Sequence, residues 1–101
     1  MVDDAARAAL RRRIRAALHE AEVLRLAAKG SELEARIDLT AAQLARIERF
    51  FLMGPPPVTP QAEARWLGVA GTLLQVYCAE LRHHQHRVST QIPALGTRRA
   101  G

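Results

Sequence analysis

Five arginines stand between positions 7 and 15 of this 101-residue chain, and Arg7, Arg11 and Arg15 are spaced by four. On a helix that spacing places them on one face, with His19 continuing the row. Like charges so placed destabilise a helix by roughly a few tenths of a kcal/mol each, and only Arg7 has a carboxylate, Asp3, at helical pairing distance. Guanidinium forks match phosphate and carboxylate oxygens. Arg7, Arg11, Arg12 and Arg15 are therefore the candidate residues for binding an anion or an acidic partner surface. The competing reading is a solvated face, or one neutralised by glutamates of a second helix or of another chain.

Glu80 and His83 form a Glu-x-x-His pair inside the run Arg82-His83-His84-Gln85-His86-Arg87. A carboxylate-bridged two-metal centre in a helical bundle needs two such pairs and two further carboxylates; this chain has one pair, so no metal or other cofactor is expected. Cys78 lies in the most apolar stretch and reads as a small packed residue rather than a nucleophile. No glycine-rich phosphate loop, nucleophile elbow or paired-cysteine zinc pattern is present. The expectation is a protein that is not an enzyme and has no small-molecule substrate.

The elements that carry these residues are helical. From Asp3 to Lys29 there is no Gly or Pro, and Leu10, Ile14, Ala17, Ala21, Leu24 and Ala28 alternate spacings of four and three. This predicts a first helix over about 4–29 that stops at Gly30. Ser31 with Glu34 is a capping-box pattern that starts a second helix at once. Its seam is Leu33, Ile37, Thr40, Leu44, Ile47 and Phe51, out of phase with the first, so the two form a helical hairpin over about 4–53. Thr40 and Gln43, flanked by Leu39 and Leu44, repeat the cap pattern and mark a bend or restart near 39–40. Gly54-Pro55-Pro56-Pro57 ends the hairpin in a stiff loop. Thr59 as N-cap and Pro60 at the first helical position then open a third helix over about 60–86. Its main apolar stripe is read as Trp66, Ala70, Leu73, Tyr77 and Leu81, with Gly68 and Gly71 on a second stripe of small residues. The expected fold is an all-α three-helix antiparallel bundle, a single helical domain over 1–87 followed by a basic, flexible tail over 88–101.

Within the third helix, Gln61 to Tyr77 resembles a helix-turn-helix unit. Ala64 stands four before Gly68, Leu67 and Val69 flank that glycine, and Leu74 and Tyr77 fall on the inward side of the second helix. The resemblance implies a turn at Gly68 and a recognition helix that presents Thr72 and Gln75 to bases. Glu63 departs from it by occupying a normally apolar position, and no basic residue follows before Arg82.

Size and charge set the remaining bounds. Of the 49% hydrophobic residues 19 are Ala, which leaves a modest core that a second copy or a partner would complete. The formal charge is +5, with residues 1–30 at +3 and 82–101 at +4. A lone cysteine and the absence of a signal-peptide pattern or a membrane-length apolar run suit the cytoplasm. The expectation is a small helical protein-protein interaction module, a homo-oligomeric regulator or small subunit that binds an acidic partner surface. Trp66, Leu73, Tyr77, Gly68 and Gly71 are its expected assembly interface. The alternative is a nucleic-acid-binding regulator that uses the helix-turn-helix unit or the basic first helix.

Overall fold

The computed structural model describes residues 4–53 and 58–91. Three helices, α1 (Asp4–Ala27), α2 (Glu32–Ile47) and α3 (Pro60–Gln91), form an elongated bundle, and a π-helical turn (Glu48–Leu52) extends α2. Arg7 of α1 meets Glu63 of α3, and Arg25 of α1 meets Glu34 and Asp38 of α2. The chain therefore runs up, down and up, with α1 and α3 parallel and α2 antiparallel to both.

The α1–α2 hairpin is built from local chemistry. Gly30 takes φ +86°, the left-handed conformation that ends a helix and that a side chain disfavours. Ser31 caps α2 by accepting from the Leu33 amide at 3.2 Å, and its hydroxyl donates to the Ala28 carbonyl at 2.7 Å. Glu34 accepts from the Gly30 amide at 2.9 Å, one residue earlier than a capping box requires. Arg25 then pairs with Glu22 of its own helix at 2.8 Å and reaches Glu34 and Asp38 across the hairpin, each at 3.6 Å.

The seams of α1 and α2 are those expected from spacing: Leu10, Ile14, Ala17, Ala21 and Ala28 are buried against Leu33, Ile37, Thr40, Leu44 and Ile47. No restart occurs at 39–40; α2 is continuous, Leu39 is exposed, and Thr40 turns inward because a polar partner on α3 awaits it. Thr59 caps α3 by accepting from the Ala62 amide at 3.1 Å.

The buried face of α3 shares Ala70 and Leu81 with the expected apolar stripe and is otherwise rotated from it. It consists of Glu63, Ala70, Leu74, Leu81, His84 and Val88, while Trp66, Leu73 and Tyr77 are only half-buried at its margin. The hydrophobic pattern misplaces the face because two of its members, Glu63 and His84, are polar and are buried only by virtue of their partners. The helix also reaches Gln91 rather than His86, since Val88 still packs in the core. The helical unit thus includes 88–91, and the rest of the expected tail, like Gly54-Pro55-Pro56-Pro57, lies outside the described residues.

No turn interrupts α3. Gly68 and Gly71 are inside a continuous helix, so the helix-turn-helix geometry is not formed. Neither glycine admits a close neighbour from the same chain, because a Cβ built on either meets nothing within 4 Å. Gly68→Ala should therefore raise stability by about 0.5–1 kcal/mol in urea denaturation. Gly30→Ala, at positive φ, should lower it by about 1 kcal/mol.

Candidate functional site

The arginine row of α1 lies against two buried carboxylates. Glu63 enters the bundle one turn into α3, its side chain 4% exposed, and accepts from Arg7 Nη1 at 3.3 Å, while Arg7 Nη2 donates to the Leu52 carbonyl at 3.0 Å. Glu48, the first residue of the π-helical turn, receives Arg11 Nε at 3.4 Å and Arg15 Nε at 2.9 Å on the same oxygen, Oε2. The turn itself explains why Glu48 is available. Its wider i+5 hydrogen bond, Met53 N–H to Glu48 O at 3.0 Å, brings Glu48 and Leu52 inward beside Ile47, whereas the four-three seam would have continued only through Ile47 and Phe51. Arg7, Arg11 and Arg15 thus have partners within the chain, as in the neutralised reading. Arg12 and Arg13 are exposed and make no ion pair among the described residues. Together with Ala8 and Leu52, Arg7, Arg11, Arg12 and Arg15 line an open cleft of about 710 Å³.

The opposite side of the π-helical turn carries an aromatic cluster. Trp66 stacks on Phe50 with centroids 5.7 Å apart and tilts against Phe51 at 4.8 Å, and the two phenylalanines meet edge to face at 5.3 Å. Trp66, expected as an anchor for another chain, clamps the π-helical turn to α3. Phe50 remains 66% exposed. Beside it runs a groove of about 720 Å³ with Ile47, Phe51, Leu73 and Tyr77 in its walls and Gln43, Arg46 and Arg49 around it. Arg46 and Arg49 are exposed and have no ion pair among the described residues. Of the five residues expected at an assembly interface, Leu73 and Tyr77 line this groove, whereas Trp66, Gly68 and Gly71 do not, nor do the exposed Thr72 and Gln75. Thr72 spends its hydroxyl on the Gly68 carbonyl at 3.0 Å. Sequence reasoning missed Phe50, Arg46 and Arg49; adjacent Phe50 and Phe51 just before a proline run were the available signal, since one helix face cannot bury both.

At mid-bundle the histidine that matters is His84, not His83. Thr40 Oγ1 lies 3.0 Å from both Glu80 Oε1 and His84 Nε2, and 3.2 Å from the Arg36 carbonyl. With one hydroxyl proton, Thr40 can donate to only one of these three neighbours, and the imidazole tautomer sets which of Thr40 and His84 donates to the other. His84 Nδ1 is buried and has no hydrogen-bond partner among the described residues. Burial is the main cause that lowers the His84 pKa below its ordinary 6.5; the Glu80 charge opposes it, and His83, Arg87 and Arg36 reinforce it. No group of three or more His, Cys, Asp or Glu among the described residues is arranged to hold a metal ion. Among those residues no helix is long and apolar enough to cross a membrane.

Because folding lowers the His84 pKa, the unfolded chain binds a proton at a pH where the native chain does not. The stability held above 6.5 should therefore decline as pH falls from that value through the lower native pKa. Urea midpoints at about pH 7.5 and about pH 5.5 should show the loss, and His84→Gln should shrink it. Comparison of the chain with family models, curated proteins and solved structures finds no match in any of the three.

Proposed function

We propose that this chain is a small, non-enzymatic helical interaction module of the cytoplasm that docks an acidic amphipathic segment of another protein in the groove between the π-helical turn and α3. One observation carries the reading: an apolar groove walled by Ile47, Phe51, Leu73 and Tyr77 is bordered by Arg46 and Arg49, cations without an ion pair among the described residues. A volume of about 720 Å³ suits a few large side chains from one face of a helix. Phe50, at 66% exposure, supplies an aromatic rim that a partner would cover. The arginines favour a different chain over a second copy. A symmetric dimer through this patch would bring four guanidinium groups together with no carboxylate in the lining to separate them.

The second reading is a nucleic-acid-binding regulator, favoured by the same exposed Phe50 beside Arg46 and Arg49, on which an unpaired base could stack. It no longer involves base reading by Thr72 and Gln75, because α3 has no turn at Gly68.

The test is a selection of displayed helical peptides against the immobilised protein, followed by titration of the enriched peptides while the emission of Trp66 is recorded. The enriched peptides should be acidic with bulky apolar residues three or four apart, and Tyr77→Ala and Arg49→Glu should each weaken them by about tenfold or more. No enrichment, or equal affinity in both variants, would overturn the reading. A salt-sensitive single-stranded oligonucleotide that binds in place of the peptides would put the second reading first.

A further inference from the structure

The way Glu48 holds its two arginines leaves their other ends unused. Arg11 and Arg15 both donate through Nε to one carboxylate oxygen, at 3.4 and 2.9 Å. The terminal nitrogens of both guanidinium groups have no hydrogen-bond partner among the described residues. Arg7 differs, having spent Nη1 on Glu63 and Nη2 on the Leu52 carbonyl. A side chain anchored at Nε has lost much of the freedom that a flexible arginine gives up on binding, so its outer fork is already aimed. Arg11 and Arg15 keep 50% and 62% of their side-chain surface exposed, so those forks are open to solvent. Arg12, exposed and without an ion pair among the described residues, lines the same cleft.

Charge then selects the ligand. Arg7 and Glu63 cancel, and Glu48 offsets one of the three cations Arg11, Arg12 and Arg15, so among the described residues the cleft retains two positive charges. A carboxylate brings one negative charge and a phosphodiester one per phosphate; a phosphomonoester brings about two at neutral pH, with three acceptor oxygens for the forks. Ala8 and Leu52 provide an apolar wall, and about 710 Å³ is room for a small organic group beyond the phosphate. We propose that the α1 cleft is a binding site for a small-molecule phosphomonoester dianion, clasped by the outer guanidinium nitrogens of Arg11 and Arg15 with Arg12 as the third cation. The site is independent of the aromatic groove: its cations belong to α1, and neither Arg46 nor Arg49 takes part.

The experiment is a calorimetric titration with phenyl phosphate at about pH 7.5, with phenyl sulfate, a monoanion of the same shape, as comparison. Phenyl phosphate should bind saturably with one site per chain, and phenyl sulfate should bind about tenfold more weakly or not at all. Lowering the pH to about 5 should weaken phenyl phosphate alone, because its second ionisation lies near 6. Arg11→Gln with Arg15→Gln should remove binding, and Arg12→Gln, whose side chain makes no ion pair that the fold could lose, should weaken it about threefold or more. Arg13→Gln, outside the cleft, should leave it unchanged, and circular dichroism should show Arg12→Gln and Arg13→Gln as helical as the parent, so that these two variants decide the outcome if removal of both partners of Glu48 destabilises the double variant. Absence of saturable binding, equal affinity for phenyl sulfate, or an equal loss in Arg13→Gln would overturn the proposal. An oligonucleotide that binds where phenyl phosphate does not would overturn it in favour of a polymeric phosphate backbone.

Discussion

A carboxylate taken out of water inside a three-helix bundle must be met by a cation or it will not stay ionised there, and among the described residues two are buried at the same end. Glu63 comes from α3 and Glu48 from the π-helical turn, and both are met from α1, by Arg7 and by the pair Arg11 and Arg15. Those contacts fix the rotation of α1 about its axis, because a four-residue spacing serves all three arginines only when one face is turned to the carboxylates. They also answer the repulsion within the arginine row, which on an isolated helix has no remedy.

The same constraint shapes the opposite side. Glu48 reaches Arg11 and Arg15 because the backbone widens to an i+5 turn there, and that turn carries Phe50 and Phe51 round to face α3 and Trp66. Phe51 and Trp66 are half-buried by the arrangement, whereas Phe50 is left largely in solvent at the edge of a groove. An exposed phenylalanine next to two cations without ion pairs among the described residues is where the proposed docking of an acidic segment rests. The internal ion pairs and the proposed interaction surface are thus two faces of one five-residue turn.

Much of the scaffold was legible in the residues. Four-three spacing located the buried faces of α1 and α2, Gly30 and Ser31 located the hairpin, and Thr59-Pro60 located the start of α3, because each of these signals acts within a few residues. The face of α3 was legible only in part: Ala70 and Leu81 stood on the expected stripe, but a pattern of apolar residues cannot reveal that Glu63 and His84 are inside, since their burial depends on Arg7 and Thr40, 56 and 44 residues away. The π-helical turn escaped for the same reason, as nothing local distinguishes Glu48-Arg49-Phe50-Phe51-Leu52 from one more turn of α2. The glycines at 68 and 71 suggested a turn because their cost in a helix asks for an explanation, yet the helix runs through them with open space on that side. In the groove beside Phe50, Leu73 and Tyr77 had already been singled out by their size and spacing. Arg46, Arg49 and Phe50 emerge only once the turn has placed them around the same groove.

The bundle rests on the arginines of α1 and the buried carboxylates they meet. A double-mutant cycle on Arg7 and Glu63, with Arg7→Ala, Glu63→Gln and the pair measured by urea denaturation, isolates that interaction. The coupling should be about 2 kcal/mol or more, with the double variant more stable than the sum of the single losses allows. A coupling below about 0.5 kcal/mol would contradict it, because the two residues would then be independent and the face of α1 would be set by something else.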